Sequence, residues 1–333
     1  MLSFFDPRQL AHAPATELMN GAVLPYAETP ARAEAILRAI GGAEPPADHG
    51  EAPILAVHPA PYLDFLKTAH ADWTAAGRSG DAAGYVWPVV GRRPLALSRI
   101  DARIGQHSYD ASTPIAAGTW DAAYWNAQVA LSATAAVTGG ARAAFALCRP
   151  PGHHAGADYM GGYCYLNNAA IAAEAATAAG RRVAILDVDY HHGNGTQDIF
   201  LARGDVLFVS IHADPATDYP FFWGHADETG AGAGAGAMLN LPLPRGTDWM
   251  GYAPALDTAL AAIARFAADL LIVSYGADTF DGDPISFFRI GTDDYAAMGA
   301  RIAEAGLPTV IVMEGGYAVD ALGANVASFL SGF

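Results

Sequence analysis

Two hydrophobic patterns alternate along the second half of the chain. One is a short, nearly unbroken apolar run that stops abruptly at polar residues: "RAAFAL" before "CRPPGHH", "RRVAIL" before "DVDYHHGNG", "DVLFVS" before "IHAD", "DLLIVS" before "YGADTFDGDP", and "PTVIV" before "MEGGY". The other is a longer alanine-rich stretch that suits a helix, over 120–138, 167–179, 252–267 and 293–305. A strand that is apolar along its whole length is buried on both faces. Such strands separated by helices predict an α/β fold with a central, mainly parallel sheet covered on both sides. Ligands of open parallel sheets bind beyond the carboxyl ends of the strands, so the five polar tips are expected to converge on one site.

The first third is less regular. "GGAEPPADHGEAP" reads as a loop, and the segment at about 84–119 is too rich in Pro, Gly and turn residues for a long helix. An irregular stretch of that length is usually functional or an interface. No repeat or linker divides the chain, so residues 1–333 are expected to form one domain. "GAGAGAGA", at 230–237, lacks the Lys-Ser/Thr ending and following helix of a phosphate loop and reads as a glycine loop.

Composition narrows the function. With 52% hydrophobic and 16% charged residues, the 333-residue chain has ample material for a core. No apolar stretch is long enough for a membrane span, and "MLSFFDPRQL" lacks the basic and apolar segments of an export signal, so a cytoplasmic location is expected. The net charge of −16, from 34 acids against 18 bases, argues against a nucleic-acid partner and suits the attraction of small cationic ligands. Cys148 and Cys164 are too few for a disulfide framework and are expected to be free, buried thiols.

The strand tips carry the chemistry. Asp189 and His191 stand two apart where a strand leaves the sheet, and alternation sends such residues to the same side. Asp278 ends another strand and supplies a third ligand, leaving an open position of the kind a catalytic zinc ion needs. Oxygen and nitrogen ligands also accept iron(II), cobalt or manganese. "RPPGHHAG" holds His153 and His154 in a turn, where imidazole can take a proton from water and return it to a leaving group. Tyr317, after two glycines in "MEGGY", can donate a hydrogen bond to a developing oxyanion.

Together "PPGHHAG", "GGYCYLNNAA", "AILDVDYHHGNGTQDIF", "DTFDGDPISFF" and "VIVMEGGY", with "TELMNG" and "GTW" nearer the front, resemble the zinc-dependent histone deacetylase superfamily, in particular its bacterial acetylpolyamine amidohydrolases. That resemblance implies an arginase-deacetylase fold with one metal at the base of a tunnel. Asp189, His191 and Asp278 would hold zinc, with Fe2+ or Co2+ as substitutes. His154 would be the general base and then acid, His153 its partner, and Tyr317 the oxyanion donor. Asp187 would orient His153, and Asn194 would orient His154. An amide at Asn194, in place of a carboxylate, should leave His154 easier to deprotonate than His153. Asp187 and Ser210 match positions that hold a structural K+. Tyr163 and Tyr219 match tunnel walls, and the carbonyl of Gly162 matches an acceptor for the substrate amide N–H.

The resemblance further implies a homodimer, with a narrow mouth shaped by the segment at about 84–119, and a small cationic acetylated amine such as acetylputrescine or acetylcadaverine as substrate. Asp101 falls where a mouth acid is expected. Ser112 occupies a second such position, where glutamate is the expectation, with Asp110 close by. A lysine deacetylase acting on proteins is the alternative within the same chemistry. An arginase-type dinuclear manganese hydrolase is a rival because "DTFDGDP" contains extra acids, although ligands for only one metal can be assembled. A silent acyl-amine binding protein would be expected to have lost Tyr317 or a metal ligand, and none is missing.

Overall fold

The computed structural model describes residues 1–88 and 95–333. The segment expected to shape the mouth therefore includes six positions, 89–94, that lie outside the described residues. In chain order the elements are β1 (Leu2–Phe4), β2 (Thr16–Met19), β3 (Ala22–Pro25), α1 (Ala31–Ile40), α2 (Ala52–Leu55), α3 (Ala60–Ala75), α4 (Ile100–Gln106) and α5 (Thr119–Thr138). Then follow β4 (Ala143–Ala146), α6 (Asn168–Ala178), β5 (Val183–Asp187), α7 (Asn194–Phe200), β6 (Val206–Ala213), β7 (Met238–Leu243), α8 (Trp249–Phe266), β8 (Leu270–Tyr275), α9 (Thr292–Ala303), β9 (Thr309–Met313) and α10 (Val319–Ser331).

Seven strands form one sheet in the order β1-β4-β9-β8-β5-β6-β7, and every neighbouring pair is parallel. The five apolar runs are its five interior strands. The edge strands β1 and β7, and the antiparallel β2–β3 hairpin, carry too little unbroken apolar sequence to stand out.

Alternation along each strand divides the core in two. Ala144, Ile185, Phe208, Ile272 and Val310 face one apolar cluster, while Phe145, Leu186, Val209, Val273 and Ile311 face the other. Helices close both faces, α5 and α6 over the first cluster, and α1, α8, α9 and α10 over the second. Fully burying a side chain of this kind contributes roughly 1.5–3 kcal/mol, and this is what holds the strands in register. Two helices begin at side-chain caps: Asn167 accepts the N–H of Ala170 at 2.9 Å, and Asp248 accepts that of Gly251 at 3.1 Å. Among the described residues, no helix is long and apolar enough to cross a membrane.

Candidate active site

Parallel pairing puts the carboxyl ends of β4, β5, β6, β8 and β9 on one edge of the sheet. Asp187 is the last residue of β5, in register with Ser210 of β6 and Ser274 of β8. Beyond it, Asp189 and His191 meet Asp278, which follows β8. The His191 Nδ1 lies 3.1 Å from Asp278 Oδ2 and 3.5 Å from Asp189 Oδ1. The three side chains each offer a ligand atom within 4.8 Å of the other two, so the expected set is brought together.

The residues suit a divalent cation. Asp189 and Asp278 are fully buried, and among the described residues their direct ion-pair partners are imidazoles. Burial and then the Asp189 carboxylate push Asp278 up to about 7, the response expected of two acids crowded in a dry place without a cation. Space is reserved for them: a Cβ on Gly276 would overlap the Asp189 carboxylate, and one on Gly315 would crowd those of both Asp189 and Asp278. A second buried trio, His153, Cys164 and Glu314, has ligand atoms equally close. Its carboxylate is already spent, however. Glu314 Oε2 accepts the N–H groups of Gly152 and His153 at 2.6 and 3.1 Å, and Oε1 accepts the Ser274 hydroxyl at 2.8 Å.

The two histidines after β4 lie with ring centroids 4.0 Å apart but carry different partners. His153 Nδ1 is 3.1 Å from Asp187 Oδ2, whereas His154 Nδ1 is 2.7 Å from the side-chain oxygen of Asn194. Burial lowers the pKa of both. For His153 the Asp189 and Asp187 carboxylates outweigh burial and carry it to about 10. For His154 the His153 and His191 rings add to burial and hold it well below 6.5. His154 is therefore neutral at pH 7. The Asn194 oxygen can only accept, so Nδ1 carries the proton and Nε2 is left as the basic atom.

Tyr317 follows β9 on the adjoining tip. Burial raises its pKa well above 10, keeping the hydroxyl protonated and able to donate. Its backbone is braced by Arg32 of α1, which donates to the carbonyls of Gly316 and Glu314 at 2.6 and 2.7 Å. The same guanidinium sits 4.8 Å over the Tyr317 ring and is neutralised by Glu28 at 2.7 Å.

Residues 26–333 match the family described as "Histone deacetylase domain". This chain belongs to the histone deacetylase family. It is 52% identical to acetylpolyamine amidohydrolase 1 of Pseudomonas aeruginosa, over 100% of this chain and 99% of that protein. It is 48% identical to the acetylpolyamine amidohydrolase of Mycoplana ramosa, over 99% of this chain and 98% of that protein. The crystal structure of an acetylpolyamine aminohydrolase from Burkholderia pseudomallei superposes with a TM-score of 0.96 at 47% identity, covering 100% of this chain and 98% of that one. The HD domain of HDA15 superposes at 0.80 with 27% identity, over 99% and 87% of the two chains. The seven-stranded parallel sheet is thus the deacetylase fold, and the family is one of amidohydrolases.

In this deacetylase a cavity of about 350 Å³ leads to the three-residue cluster. His154, Gly162, Tyr163, His191, Tyr219 and Tyr317 all line it. Gly162 has φ +51°, and a Cβ there would collide with the His154 ring, so glycine is required twice over. Asp110 and Ser112 also line the cavity, and Asp110 accepts the Gly162 N–H and the Tyr219 hydroxyl, both at 2.8 Å. Asp218 is present too, but Arg245 neutralises it at 2.8 Å.

Asp101 is placed elsewhere. It is buried on α4, away from the cavity, with Arg99 at 2.9 Å and Arg78 against its carboxylate. Two guanidinium groups already take its charge, which leaves it none to offer a substrate cation in this cavity. Both cysteines are buried and free, as expected. Sequence reasoning gave no role to Glu314 or Arg32. The first was visible inside "MEGGY" as an acid too close to a strand to be solvated. The second, in "PARAEAIL", has no local signal for its role, because the carbonyls it braces are more than 280 positions away.

Proposed function

We propose that this deacetylase removes the acetyl group from acetylated polyamines and diamines, with acetylputrescine, acetylcadaverine and acetylspermidine as the substrate class, releasing acetate and free amine. The observation that carries this reading is the joining of Asp189, His191 and Asp278 beside a neutral His154 at the base of the cavity. Relatives of about half identity over the full chain that bear the acetylpolyamine amidohydrolase name support the substrate class.

Asp189, His191 and Asp278 would hold Zn2+, with Fe2+ or Co2+ able to replace it. Zinc there supplies Lewis acidity, polarising the acetyl carbonyl and making water a competent nucleophile near neutral pH. His154 Nε2 takes the proton of the attacking water, and the Nδ1 bond to Asn194 fixes the tautomer that permits it. The same nitrogen then protonates the departing amine. His153, held by Asp187, keeps a positive charge beside it. The Tyr317 hydroxyl donates to the oxygen that gains charge, the Gly162 carbonyl accepts the substrate amide N–H, and Tyr163 and Tyr219 confine the methylene chain. Asp101 is left out of this contact set because of its arginine pairs.

Asp187 and Ser210, buried register partners on β5 and β6, support a structural K+ in the same reading. We read all 333 residues as one domain of a cytoplasmic homodimer, with the segment at about 84–119 at the mouth. A turnover panel tests the substrate class. Acetylputrescine and acetylcadaverine should exceed an acetyl-lysine peptide in kcat/KM, and a clear peptide preference would assign the chain as a protein lysine deacetylase instead. Elemental analysis should find one transition metal per chain, and two would favour the arginase-type rival.

A further inference from the structure

We propose that Asp283 is a positioning residue for deacetylation, a carboxylate that fixes Tyr317 against the wall of the substrate cavity. The inference rests on the reading of Tyr317 as the oxyanion donor. Asp283 Oδ2 accepts the backbone N–H of Tyr317 at 2.7 Å and that of Ala318 at 3.2 Å, and Oδ1 accepts the N–H of Ile285 at 3.1 Å. The side chain is buried, and no Lys or Arg among the described residues pairs with it. Its neighbours Pro284 and Ile285 line the cavity, as does Tyr317, while Asp283 itself does not. One carboxylate thus ties the surface along which the substrate lies to the hydroxyl that must meet its carbonyl.

The need for such a tie is local. Tyr317 follows Gly315 and Gly316, the second at φ +119°, and two glycines give the segment little stiffness of its own. Three N–H donors converge on two oxygens, so the side chain must be a pure acceptor. Asparagine of the same shape would turn an amide N–H against one of them. Those contacts also explain Asp283, one of the two extra acids of "DTFDGDP". Its oxygens are occupied by backbone donors, and it is absent from the ligand cluster of Asp189, His191 and Asp278, so it is not the mark of a second metal. Misplacing a catalytic group by about 1 Å costs on the order of 100-fold in rate, so loosening Tyr317 should be felt in turnover more than in binding.

The test is a cycle of D283N, Y317F and the double variant, each as the zinc-loaded enzyme, measuring kcat and KM for acetylputrescine with metal content alongside. D283N is expected to lower kcat by about 10- to 100-fold, with KM within about threefold and one metal retained. In the Y317F background the same change should cost less than about threefold. Equal losses in both backgrounds would overturn the inference while leaving the role of Tyr317 intact. Near wild-type kcat in Y317F alone would overturn that role and this inference with it. If D283N does not fold, hydrogen exchange on the wild-type enzyme decides. The Tyr317 and Ala318 amides should be strongly protected, and exchange at the rate of an open loop would refute the tie.

Discussion

His58 offers a measurement that depends on a single proton. Its Nδ1 is 2.9 Å from the carbonyl of Ala157, and its Nε2 is 2.9 Å from the backbone nitrogen of Asn167. The first partner can only accept and the second can only donate, so the ring is locked as the neutral Nδ1–H tautomer. A second proton would point at the Asn167 N–H, and burial opposes it as well, bringing the pKa from 6.5 down to about 4. The unfolded chain therefore binds a proton between pH 6.5 and about 4 that the folded chain refuses. Stability from this residue is complete above pH 6.5 and is lost as pH falls through that window. At pH 5 the loss is about 1.5 pH units at roughly 1.4 kcal/mol each, or about 2 kcal/mol. Urea unfolding of wild type and His58→Gln at pH 7 and pH 5 isolates it. The variant will be weaker at pH 7, but it should lose about 2 kcal/mol less than wild type on acidification. His212, also brought down to about 4 by burial, responds in the same window and cancels in the comparison. An identical pH response in both proteins would refute the reasoning.

Other outcomes follow from the site. Asp278→Asn removes one of two buried acids, so metal content by elemental analysis should drop well below one per chain; full occupancy would remove Asp278 from the ligand set. Asn194→Asp sets a carboxylate where the amide now lies 2.7 Å from His154, which should raise that histidine's pKa by about one unit or more. A base with a raised pKa loses its neutral form at higher pH, so the acid limb of kcat/KM should move upward; an unmoved limb would contradict the assignment of His154. Gly276→Ala forces a methyl into the Asp189 carboxylate and should weaken zinc affinity by at least about tenfold in a chelator competition, with no change expected if the site tolerates the shift.

The metal cluster was legible because its residues stand at strand tips, and a parallel sheet brings tips together however far apart they lie in sequence. Asp189 and His191 share one tip, and Asp278 follows its neighbour, so periodicity plus topology sufficed. The five apolar runs gave the interior of the sheet for the same reason. What escaped was at the margins. Strand β1 is three residues long, and in β7 the run "MLNLPL" mixes an asparagine and a proline with apolar residues. The mouth escaped for a different reason. Asp101 has the right residue type at the right place in sequence, yet the orientation of α4 and the approach of Arg78 decide where its charge is used. Motifs locate residues along a chain, whereas pairing across loops is settled only in three dimensions.

The same distinction explains how the site keeps its shape. Each acid at its centre is held by a backbone N–H, and two of those come from other tips. The Gly315 N–H donates to Asp189 Oδ2 at 2.8 Å, that of Tyr190 to Asp278 Oδ1 at 2.9 Å, and that of Asp189 to Asp187 Oδ1 at 3.1 Å. Glu314 closes the ring by gripping the turn that carries His153 and His154. The tips after β4, β5, β8 and β9 are therefore tied to one another by backbone donors, whose positions the sheet itself fixes. Carboxylates aimed in this way need little rearrangement to receive a cation, which is what a preorganised centre requires. The ties also predict that damage will spread. A change at Glu314 should disturb His154 without touching it, because among the described residues Glu314 is the acid that holds the N–H groups of the turn beneath the two histidines.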